Sequence, residues 1–588
     1  MARNGVRSLL VLFALVLATA QMALAETPAP RQLEPEEGTG VTARTLALAK
    51  RHMVSSANVS ASEAGREILR AGGSAIDAAI ATQLVLGLVE PQSSGLGGGA
   101  FLLHWDAKAR ALATYDGRET APAAARPDRF LRDGRPMAFD TAVHSGLSIG
   151  TPGLVRLLEE VHKRHGKLPW ADLFQPAIRL ARDGFPISSR LHLLLRWFGQ
   201  SALTPAAKAY FLDADGNALP TGHALKNEAY AATLDAIARH GADAFYSGAI
   251  AEAMVVAART APNAPGDLAL SDLTAYTVKE RPPVCVTYRT YRLCGMGPPS
   301  SGGIAVAQIL KLVERFDLGR TPADAMNVQA LHLVTEAERL AFADRNRYLA
   351  DPDFVPVPSG LLDPTYLSAR STLIDPTETQ DRVDAGAPPG AGTRAFGIDA
   401  TRERAGTSHL SIVDADGNAV AMTTTIEGVF GSGVFTSGFL LNNELTDFSF
   451  LPADPGGVPI ANRVEGGKRP RSSMAPLLVF DDKGELFATL GSPGGSRIIL
   501  YVAKTLVALI DWKLDAQAAT DLPNFGTTGG PMEFEIGWST IWKALALRGY
   551  GQKVTPSLMN SGIHAIVRRE GRLEGGADPR REGAALGD

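Results

Sequence analysis

Apolar residues recur at the spacing of an α-helix in several separate segments of the chain. Residues 62–89 predict two helices interrupted by Gly72 and Gly73, and the second of these is apolar nearly all round. A helix without a polar face belongs in a protein interior, so we expect it to be buried. The same periodicity, together with flanking helix breakers, predicts further helices at 152–166, 170–183, 227–240, 327–349 and 495–511.

Closely spaced alternating segments, which are typical of β-strands, dominate the chain after residue 405. An earlier strand is expected at 101–105, after a glycine-rich turn. The region 375–405 is polar, rich in Gly and Pro and without a clear period, so we interpret it as a flexible connector. Mixed helices and antiparallel strands indicate an α+β layered architecture. The later predicted strands are 408–414, 419–427, 439–442, 476–481, 486–491, 563–568 and 573–577.

Residues 1–25 have the layout of a secretory signal peptide. Arg3 and Arg7 are the only charges, an apolar run follows at 9–20, and the ALA at 23–25 supplies a cleavage site. A membrane anchor is the alternative, but the run is short for a span of about 20 residues. We therefore expect a soluble, secreted mature chain that has no contact with a membrane. Its expected location is a bacterial periplasm.

The charge of the chain bears on its partners. The formal net charge is −4, and the sequence contains no basic stripe. Proteins that bind nucleic acid carry clustered Lys and Arg that neutralise phosphates. Nucleic acid is therefore not expected as a partner.

The only two cysteines are Cys285 and Cys294. A two-residue turn at 289–290 would pair Tyr288 with Tyr291, and the same register sets Cys285 opposite Cys294. This spacing suits a cross-strand disulfide in an oxidising compartment, and two buried free thiols are the alternative. Neither interpretation supports a metal site, since no Cys or His partners stand at ligand spacing.

The segment 405–428, AGTSHLSIVDADGNAVAMTTTIEG, predicts a β-hairpin with hydroxyl residues where its strands begin and end. A three-residue loop at 415–417 ends in Gly, which such loops favour at their left-handed position. Counting back from this loop sets Thr407 opposite Thr425. Since side chains alternate along a strand, Thr425 and Glu427 should share one face. The pattern fits either a catalytic cluster or an ordinary Thr–Thr pair that supports a sheet.

Residues 146–150, GLSIG, match the G-x-S-x-G pattern of a serine-hydrolase nucleophile. That motif needs a strand before the serine and a helix immediately after it. The preceding residues are not a convincing buried strand, and Thr151, Pro152 and Gly153 delay the helix. We interpret the segment as a structural turn.

Nine motifs follow one another along the mature chain: SASEAGREILRAGGSAIDAAIATQLVLGLVEPQSSGLGGGAFLL, YDGRETAP, GPPSSGG, LAFADRNRYLADPDF, GTSHLSIVDADGNAVAMTTTIE, LLNNELTDF, KRPRSSMAP, GSPGGSRI and GGADPRREG. In sequence and in order they resemble the motifs of the γ-glutamyltranspeptidase family. The resemblance implies the N-terminal nucleophile hydrolase fold, a four-layer αββα sandwich of the α+β class, without a cofactor. It also implies self-cleavage between Gly406 and Thr407. The products would be a large chain, 26–406, and a small catalytic chain, 407–588, forming one intertwined heterodimer.

The resemblance assigns the reacting groups. Thr407 would be the nucleophile, and its newly freed α-amine would act as its general base. Thr425 matches the threonine that hydrogen-bonds this nucleophile, in agreement with the hairpin register. Gly494 and Gly495 match an oxyanion hole formed by two backbone N–H groups.

The same resemblance assigns the groups that would bind a γ-glutamyl substrate. Arg118 matches the residue that binds the α-carboxylate, because a guanidinium fits a carboxylate with two parallel hydrogen bonds. Ser472 and Ser473 resemble its hydroxyl helpers. The expected acceptors of the α-ammonium are Glu427, Glu444 and Asp447.

The resemblance implies a γ-glutamyltransferase or glutathione hydrolase. Its substrates would be glutathione and other γ-glutamyl compounds, with water or an amino acid or dipeptide as the acceptor. A glutaryl or cephalosporin acylase on the same fold is the alternative, although a glutaryl group has no ammonium to pair with the acids. A catalytically silent binding protein is a third hypothesis, which the retained catalytic positions disfavour.

This chain also departs from the family pattern. Many members carry Asn where it has Glu427 and Gln where it has Glu444, so amine affinity and pH dependence are expected to differ. The loop 449–468, where part of the family has a lid, differs in sequence and length.

Overall fold

The computed structural model describes residues 40–588, except 381, 393–395, 402 and 404–405. The predicted signal peptide, residues 1–25, lies outside the described residues. These described residues belong to one compact unit. In the described part, no helix is both long enough and apolar enough to cross a membrane.

Two seven-stranded sheets form the centre of the protein. Their strands, numbered along the chain, are Ala47–Ala49 (β1), Met53–Ser56 (β2), Gly99–Asp106 (β3), Ala111–Gly117 (β4), Lys279–Arg281 (β5), Val284–Tyr288 (β6), Tyr291–Gly295 (β7), Thr407–Val413 (β8), Ala419–Thr425 (β9), Leu477–Phe480 (β10), Leu486–Gly491 (β11), His564–Arg569 (β12), Arg572–Ala577 (β13) and Ala584–Gly587 (β14). The first sheet has the order β1-β13-β12-β11-β10-β7-β6, and the second has the order β14-β2-β8-β9-β3-β4-β5. All neighbouring strands in both sheets are antiparallel.

Helices cover the outer face of each sheet. On β8 and β9, the side chains of Leu410 and Met422 belong to one apolar core, whereas those of Val413 and Ala421 belong to a second core shared with the first sheet. The helices that share the first core are Val59–Arg70, Ala75–Val89, Leu154–His165, Gln175–Asp183, Ser189–Ala202, Pro205–Phe211, Glu228–His240, Asp243–Tyr246, Gly248–Arg259 and Leu270–Thr274. Those that share the second core are Gly302–Val313, Val328–Tyr348, Pro364–Ser371, Ile498–Ile510, Ala516–Asp521 and Trp538–Leu547. The expected four-layer αββα sandwich is confirmed.

Shorter elements connect these layers. The remaining strands are Leu131–Arg132, Arg135–Pro136, Phe185–Pro186, Ala224–Leu225, Phe435–Thr436, Phe439–Leu440, Phe525–Gly526, Met532–Glu535 and Val554–Ser557. A short α-helix spans Phe139–Val143. The 3-10 turns are Gly146–Ser148, Trp170–Phe174, Pro322–Asp324, Ser359–Leu362, Glu444–Asp447, Gly495–Arg497 and Arg548–Tyr550.

The helices predicted from periodicity are confirmed, with boundaries shifted by a few residues. Ala75–Val89 is buried along its whole length, and Ser74 caps its first turn by accepting from the backbone N–H of Asp77. The prediction of one helix at 170–183 needs correction. A 3-10 turn, Trp170–Phe174, precedes the α-helix there, and Pro176 occupies the first turn of that helix, where its missing N–H costs nothing.

The predicted hairpin has the predicted register. The backbone N–H of Asp414 donates to the Asn418 carbonyl over 3.0 Å, which closes the loop as expected. Thr407 then lies opposite Thr425. The strand predicted at 419–427 ends earlier, at Thr425, because Glu427 has a φ of 73° and breaks the extended conformation.

The predicted connector, residues 375–405, contains neither helix nor strand in its described part. Polar contacts nevertheless attach it to the rest of the protein, in contrast to the predicted flexibility. The Asp399 side chain is buried and accepts from Asn462 Nδ2 over 2.9 Å, and the Gly360 N–H donates to Pro389 over 2.9 Å. The expectation of flexibility missed these polar anchors, because composition does not reveal contacts distant in sequence.

Strands from either side of residue 406 alternate within both sheets. In the second sheet, β8 and β9 lie between β2 and β3, which come from the N-terminal part of the chain. In the first sheet, β1 pairs with β13, and β7 pairs with β10. The two parts of the chain therefore share one pair of sheets.

Cys285 and Cys294 face each other on β6 and β7, as the turn predicted. Their sulfur atoms form a disulfide with an S–S distance of 2.06 Å. The bond closes a short loop at the end of the first sheet.

We expect the double substitution Cys285→Ser/Cys294→Ser to lower stability modestly. A loop of this size gives about 2–3 kcal/mol of constraint on the unfolded chain. Reductant should lower the midpoint of urea unfolding for the wild type but leave that of the double variant unchanged. An equal effect of reductant on both proteins would contradict this assignment.

Candidate active site

The paired threonines lie at the ends of two central strands, on the face that looks toward the first sheet. Thr407 begins β8 and Thr425 ends β9, so they are a directly opposed pair. Both side chains are buried. On its other side Thr425 pairs with Gly99 of β3. Because Thr425 lies between Thr407 and Gly99 in the ladder, the sheet holds the two hydroxyls in a defined geometry.

A chain of hydroxyl contacts leads from Thr407 to the preceding carbonyl. Thr407 Oγ donates to Thr425 Oγ over 3.3 Å, and Thr425 Oγ donates to the Gly406 carbonyl over 3.0 Å. The backbone N–H of Glu427 donates to the same Thr425 oxygen over 2.8 Å. The hydroxyl of Thr425 therefore links the side chain of Thr407 to the carbonyl of Gly406, in the peptide bond that precedes Thr407.

Gly406 packs too closely against the chain for any larger residue. A Cβ placed on it would lie 2.4 Å from the Glu427 carbonyl oxygen and 2.6 Å from the Gly428 carbonyl carbon. Both contacts are with backbone, which has little freedom to move. A glycine at this position therefore allows the 406–407 peptide to lie against the turn that follows β9.

A cavity opens beside the two threonines and collects most of the predicted site residues. It is lined by Arg118, Glu403, Thr407, Thr425, Glu427, Glu444, Asp447, Ser472, Ser473, Met474, Gly495 and Ile498. Residues from the beginning, middle and end of the chain thus meet at one place. The neighbouring Gly494 is also buried.

Arg118 is paired with two of the predicted ammonium acceptors. Its guanidinium makes a buried ion pair with Glu444, and Nη2 donates to Asp447 Oδ2 over 2.6 Å. Nη2 and Nε also donate to the carbonyls of Arg471 and Pro470, over 2.9 and 3.2 Å. Burial opposes the charge, but the carboxylates of Glu444 and Asp447 outweigh it and raise the pKa of Arg118.

The acids around Arg118 hold their protons more strongly than exposed carboxyls do. Burial, and then the charge of Glu444, raises the pKa of Glu119 well above its ordinary value. Burial likewise raises the pKa of Glu444 and of Asp447, against the opposing effect of Arg118. Among the described residues, no donor reaches either carboxyl oxygen of Glu119. Two neighbouring buried carboxyls do not readily ionise together, so protonation of one member of the pair Glu119 and Glu444 is favoured.

Glu427 reaches the cavity from the turn after β9 and not from the strand itself. Glu427 lines the cavity with Thr425, as predicted. The predicted reason, alternation along one strand, is wrong, because the strand ends before Glu427. Its carboxylate accepts a hydrogen bond from Asn443 Nδ2. Asn443 Oδ1 in turn accepts from the Gly428 N–H over 2.8 Å, which fixes the turn.

The two predicted oxyanion-hole glycines adopt conformations that favour glycine. Gly494 has a φ of 145° and Gly495 a φ of 53°. They lead into the 3-10 turn Gly495–Arg497 and then into the helix Ile498–Ile510. The N-terminal end of this helix, whose dipole favours negative charge, therefore points toward the cavity that Gly495 lines.

Ser472 and Ser473 belong to a loop that is fixed by backbone contacts. The N–H of Ser472 donates to the Pro299 carbonyl over 3.0 Å, and its own carbonyl accepts from the Ser301 N–H over 2.7 Å. Ser473 Oγ donates to Glu403 Oε2 over 2.5 Å. The loop thus presents both hydroxyls at the cavity wall.

Three charged residues of the site were not predicted: Glu403, Arg345 and Arg471. Glu403 forms a buried ion pair with Arg345, and Arg471 Nη2 lies 3.6 Å from it. Arg345 and Arg471 lie within motifs that carried the family resemblance, so they could have been noticed. Glu403 lies in the supposed flexible connector and gave no signal of its own.

The GLSIG segment is not part of this site. Residues Gly146–Ser148 form a 3-10 turn, and Ser148 Oγ donates to the carbonyls of Val143 and Ser145 over 2.7 and 2.8 Å. Its hydroxyl is buried and already bonded. The interpretation as a structural turn is confirmed.

The comparisons with known proteins show the family of the chain. The γ-glutamyltranspeptidase family model matches residues 61–588. The chain belongs to the γ-glutamyltranspeptidase family. It is 39% identical to the glutathione hydrolase proenzyme of Escherichia coli K12, over 90% of this chain and 91% of that protein. It is 36% identical to the glutathione hydrolase proenzyme of Bacillus subtilis 168, over 91% of each.

Two solved structures have the same fold as this member of the γ-glutamyltranspeptidase family. The cephalosporin acylase of Bacillus halodurans aligns with a TM-score of 0.81 and 26% identity, over 96% of this chain and 99% of that chain. The γ-glutamyltranspeptidase of Helicobacter pylori aligns with a TM-score of 0.54 and 32% identity, over 61% of this chain and 99% of that chain. A protein named as a cephalosporin acylase and one named as a γ-glutamyltranspeptidase thus share this fold.

Glu119 gives this family member a testable dependence of stability on pH. Its raised pKa means that the folded protein holds the proton more tightly than the unfolded chain does. The resulting stabilisation is complete below the ordinary carboxyl pKa and is lost as pH rises through the raised value. We expect the melting temperature of the wild type to fall relative to that of Glu119→Gln as the pH rises above the ordinary carboxyl pKa. The exposed Glu252→Gln should follow the wild type, and parallel curves for all three would refute the assignment.

Proposed function

We propose that the chain is a secreted γ-glutamyltransferase and glutathione hydrolase that activates itself by cutting the Gly406–Thr407 bond. The observation that carries the proposal is the hydroxyl chain from Thr407 through Thr425 to the Gly406 carbonyl, beside a cavity with acids and an arginine. The family membership of the chain supports the substrate class. The proposed secretion rests on the signal-peptide pattern of residues 1–25.

The first reaction is self-cleavage. Thr407 Oγ attacks the Gly406 carbonyl carbon, the C–N bond breaks, and the proton of the hydroxyl passes to the departing Thr407 nitrogen. Thr425 Oγ, which donates to the Gly406 oxygen, stabilises the negative charge that develops there. Water then hydrolyses the Gly406–Oγ ester. The products are a carboxyl terminus at Gly406 and a free α-amine on Thr407.

The second reaction uses the terminal residue that the first one creates. The α-amine of Thr407, with an ordinary pKa of about 8, accepts the proton of its own hydroxyl. Thr407 Oγ attacks the γ-carbonyl of the substrate, and the N–H groups of Gly494 and Gly495 stabilise the oxyanion. The leaving amine takes the proton and departs. Water or the amine of an amino acid or dipeptide then removes the γ-glutamyl group from Thr407.

The remaining residues of the site would bind the charged α-carboxylate and α-ammonium of the substrate. Its α-carboxylate binds Arg118, Ser472 and Ser473, and its α-ammonium binds the acids that surround the cavity. Asp447 Oδ1 accepts no hydrogen bond from the described residues, so it is available to an ammonium. Because Arg118 is paired with Glu444 and Asp447 in the uncut chain, an incoming carboxylate shares the guanidinium with them.

The acylase alternative has a specific observation in its favour, the structural likeness to the Bacillus halodurans cephalosporin acylase. A glutaryl amide lacks only the α-ammonium of the γ-glutamyl group. The acids at the cavity therefore favour the γ-glutamyl compound, since its ammonium can donate to Asp447 Oδ1, which accepts no hydrogen bond from the described residues. Rates on γ-glutamyl and glutaryl anilides, measured with and without glycylglycine as acceptor, decide between the two functions.

We predict that Thr407→Ala remains a single chain without activity, because it lacks the attacking oxygen. Denaturing gels and hydrolysis of a γ-glutamyl anilide measure the two effects. Ser408→Ala is the matched control, since that hydroxyl is buried on the opposite face of the same strand and has no partner among the described residues. A normally cut Thr407→Ala protein would disprove the mechanism.

We predict that Thr425→Ala cuts itself roughly 100-fold more slowly, as expected for loss of one donor to a developing oxyanion. Thr425→Ser keeps the hydroxyl and should retain most of the rate. Thr424→Ala removes a buried hydroxyl from the other face of β9 and should cut normally. The half-time of cleavage after refolding is the measurement, and equal rates for Thr425→Ala and Thr424→Ala would exclude this role.

A further inference from the structure

We infer that Arg345, Arg471 and Ser473 form a second subsite for a carboxylate, which Glu403 fills in the uncut chain and a substrate carboxylate fills after cleavage. The inference rests on the proposed self-cleavage for its second half only. Glu403 binds to these residues in the uncut chain, whether or not the chain is later cut. The ligand class is a carboxylate of a γ-glutamyl compound.

Glu403 is bound in the way a ligand carboxylate would be. One of its oxygens forms the buried ion pair with Arg345, and the other accepts from Ser473 Oγ over 2.5 Å. Its side chain is 4% exposed, although it also lines the cavity that contains Thr407. Burial would raise the pKa of Glu403, but Arg345 and Arg471 outweigh this and lower it, so the group is ionised.

Arg345 is held in place by contacts that do not involve Glu403. Arg345, on the helix Val328–Tyr348, donates from Nε to Ser301 Oγ over 2.8 Å and from Nη1 to Asn346 Oδ1 over 2.9 Å. It also donates from Nη2 to Ser473 Oγ over 2.6 Å. The position of Arg345 therefore does not depend on Glu403.

Arg471 has unused capacity for a ligand. Its side chain is 1% exposed, and none of its guanidinium nitrogens makes a hydrogen bond within the described residues. Its charge is balanced by Asp399, at 3.0 Å, and more distantly by Glu403. A buried guanidinium with unbonded donors is costly unless a carboxylate satisfies it.

The cut changes the charge balance of this subsite. Asp399 and Glu403, the acids that balance Arg345 and Arg471, both lie just before the cut, whereas Arg471 and Ser473 lie after it. When the new carboxyl end leaves the cavity, Glu403 leaves with it. Two buried guanidinium groups then border the space that Glu403 vacates at the wall of the cavity. They have too little negative charge around them, which favours an incoming carboxylate.

Two carboxylates of a γ-glutamyl peptide have the required chemistry. One is the α-carboxylate of the γ-glutamyl group, which Ser473 is already proposed to contact. The other is the C-terminal carboxylate of the leaving or accepting peptide. A γ-glutamyl anilide has only the first, and glutathione has both, so the two sources are experimentally separable.

The first experiment uses uncut chains and needs no catalysis. The double variant Thr407→Ala/Glu403→Ala lacks the CH₂–COO⁻ group that acetate replaces. Sodium acetate should raise the melting temperature of this double variant above the value measured in sodium chloride at the same concentration. The single variant Thr407→Ala and the control Thr407→Ala/Glu378→Ala, which lacks an exposed carboxylate of the same connector, should show no such difference. An equal response of all three chains, or none in the double variant, would overturn the inference.

The second experiment uses the cut enzyme. Arg345→Lys and Arg471→Lys keep the charge but lose the fork that binds a carboxylate with two bonds. The KM should rise about tenfold or more, as for a lost hydrogen bond to a charged group, with a smaller change in kcat. Rates are normalised to the cut fraction, and Arg347→Lys on the same helix is the control.

Three substrates identify the carboxylate: glutathione, its C-terminal amide and a γ-glutamyl anilide. A raised KM for all three assigns the subsite to the α-carboxylate. A raised KM for glutathione alone assigns it to the C-terminal carboxylate. An unchanged KM for all three would refute the subsite. If the wild type acts on none of them, the proposed function fails, while the acetate experiment still tests the binding of Glu403.

Discussion

The pairing of Thr407 with Thr425 across two central strands is the constraint on which the site depends. A shift of one residue in this register would leave the two hydroxyls on opposite faces of the sheet. The register is held on both sides, because β2 pairs with β8 and β3 pairs with β9. It also brings the carbonyl of Gly406 to the hydroxyl of Thr425. The chemistry proposed for the chain thus follows from a backbone pattern.

The second determinant is the burial of charge. Arg118, Glu444 and Asp447 lie almost entirely out of solvent, and such groups are stable only in mutually compensating sets. The same holds for Glu403 with Arg345 and Arg471. The charges around the cavity are balanced in the uncut chain. Binding of the proposed zwitterionic substrate would therefore be an exchange of partners, and Glu403 would be one of the groups that it replaces.

Much of this arrangement could be predicted from sequence. The loop at 415–417 is short, so the register of Thr407 and Thr425 followed from counting residues and was confirmed. Family motifs named most residues that line the cavity. The positive φ of Glu427 and the place of Glu403 could not be predicted in this way. Both depend on packing between segments distant in sequence, which neither periodicity nor composition records.

The alternation of N-terminal and C-terminal strands within each sheet has a consequence for the product of the proposed cut. The interface between the two chains would be the hydrophobic core itself, so dilution could not separate them without unfolding both. Such a pair is assembled once, by folding of the continuous precursor. Its persistence would be governed by the rate of unfolding and not by an association equilibrium.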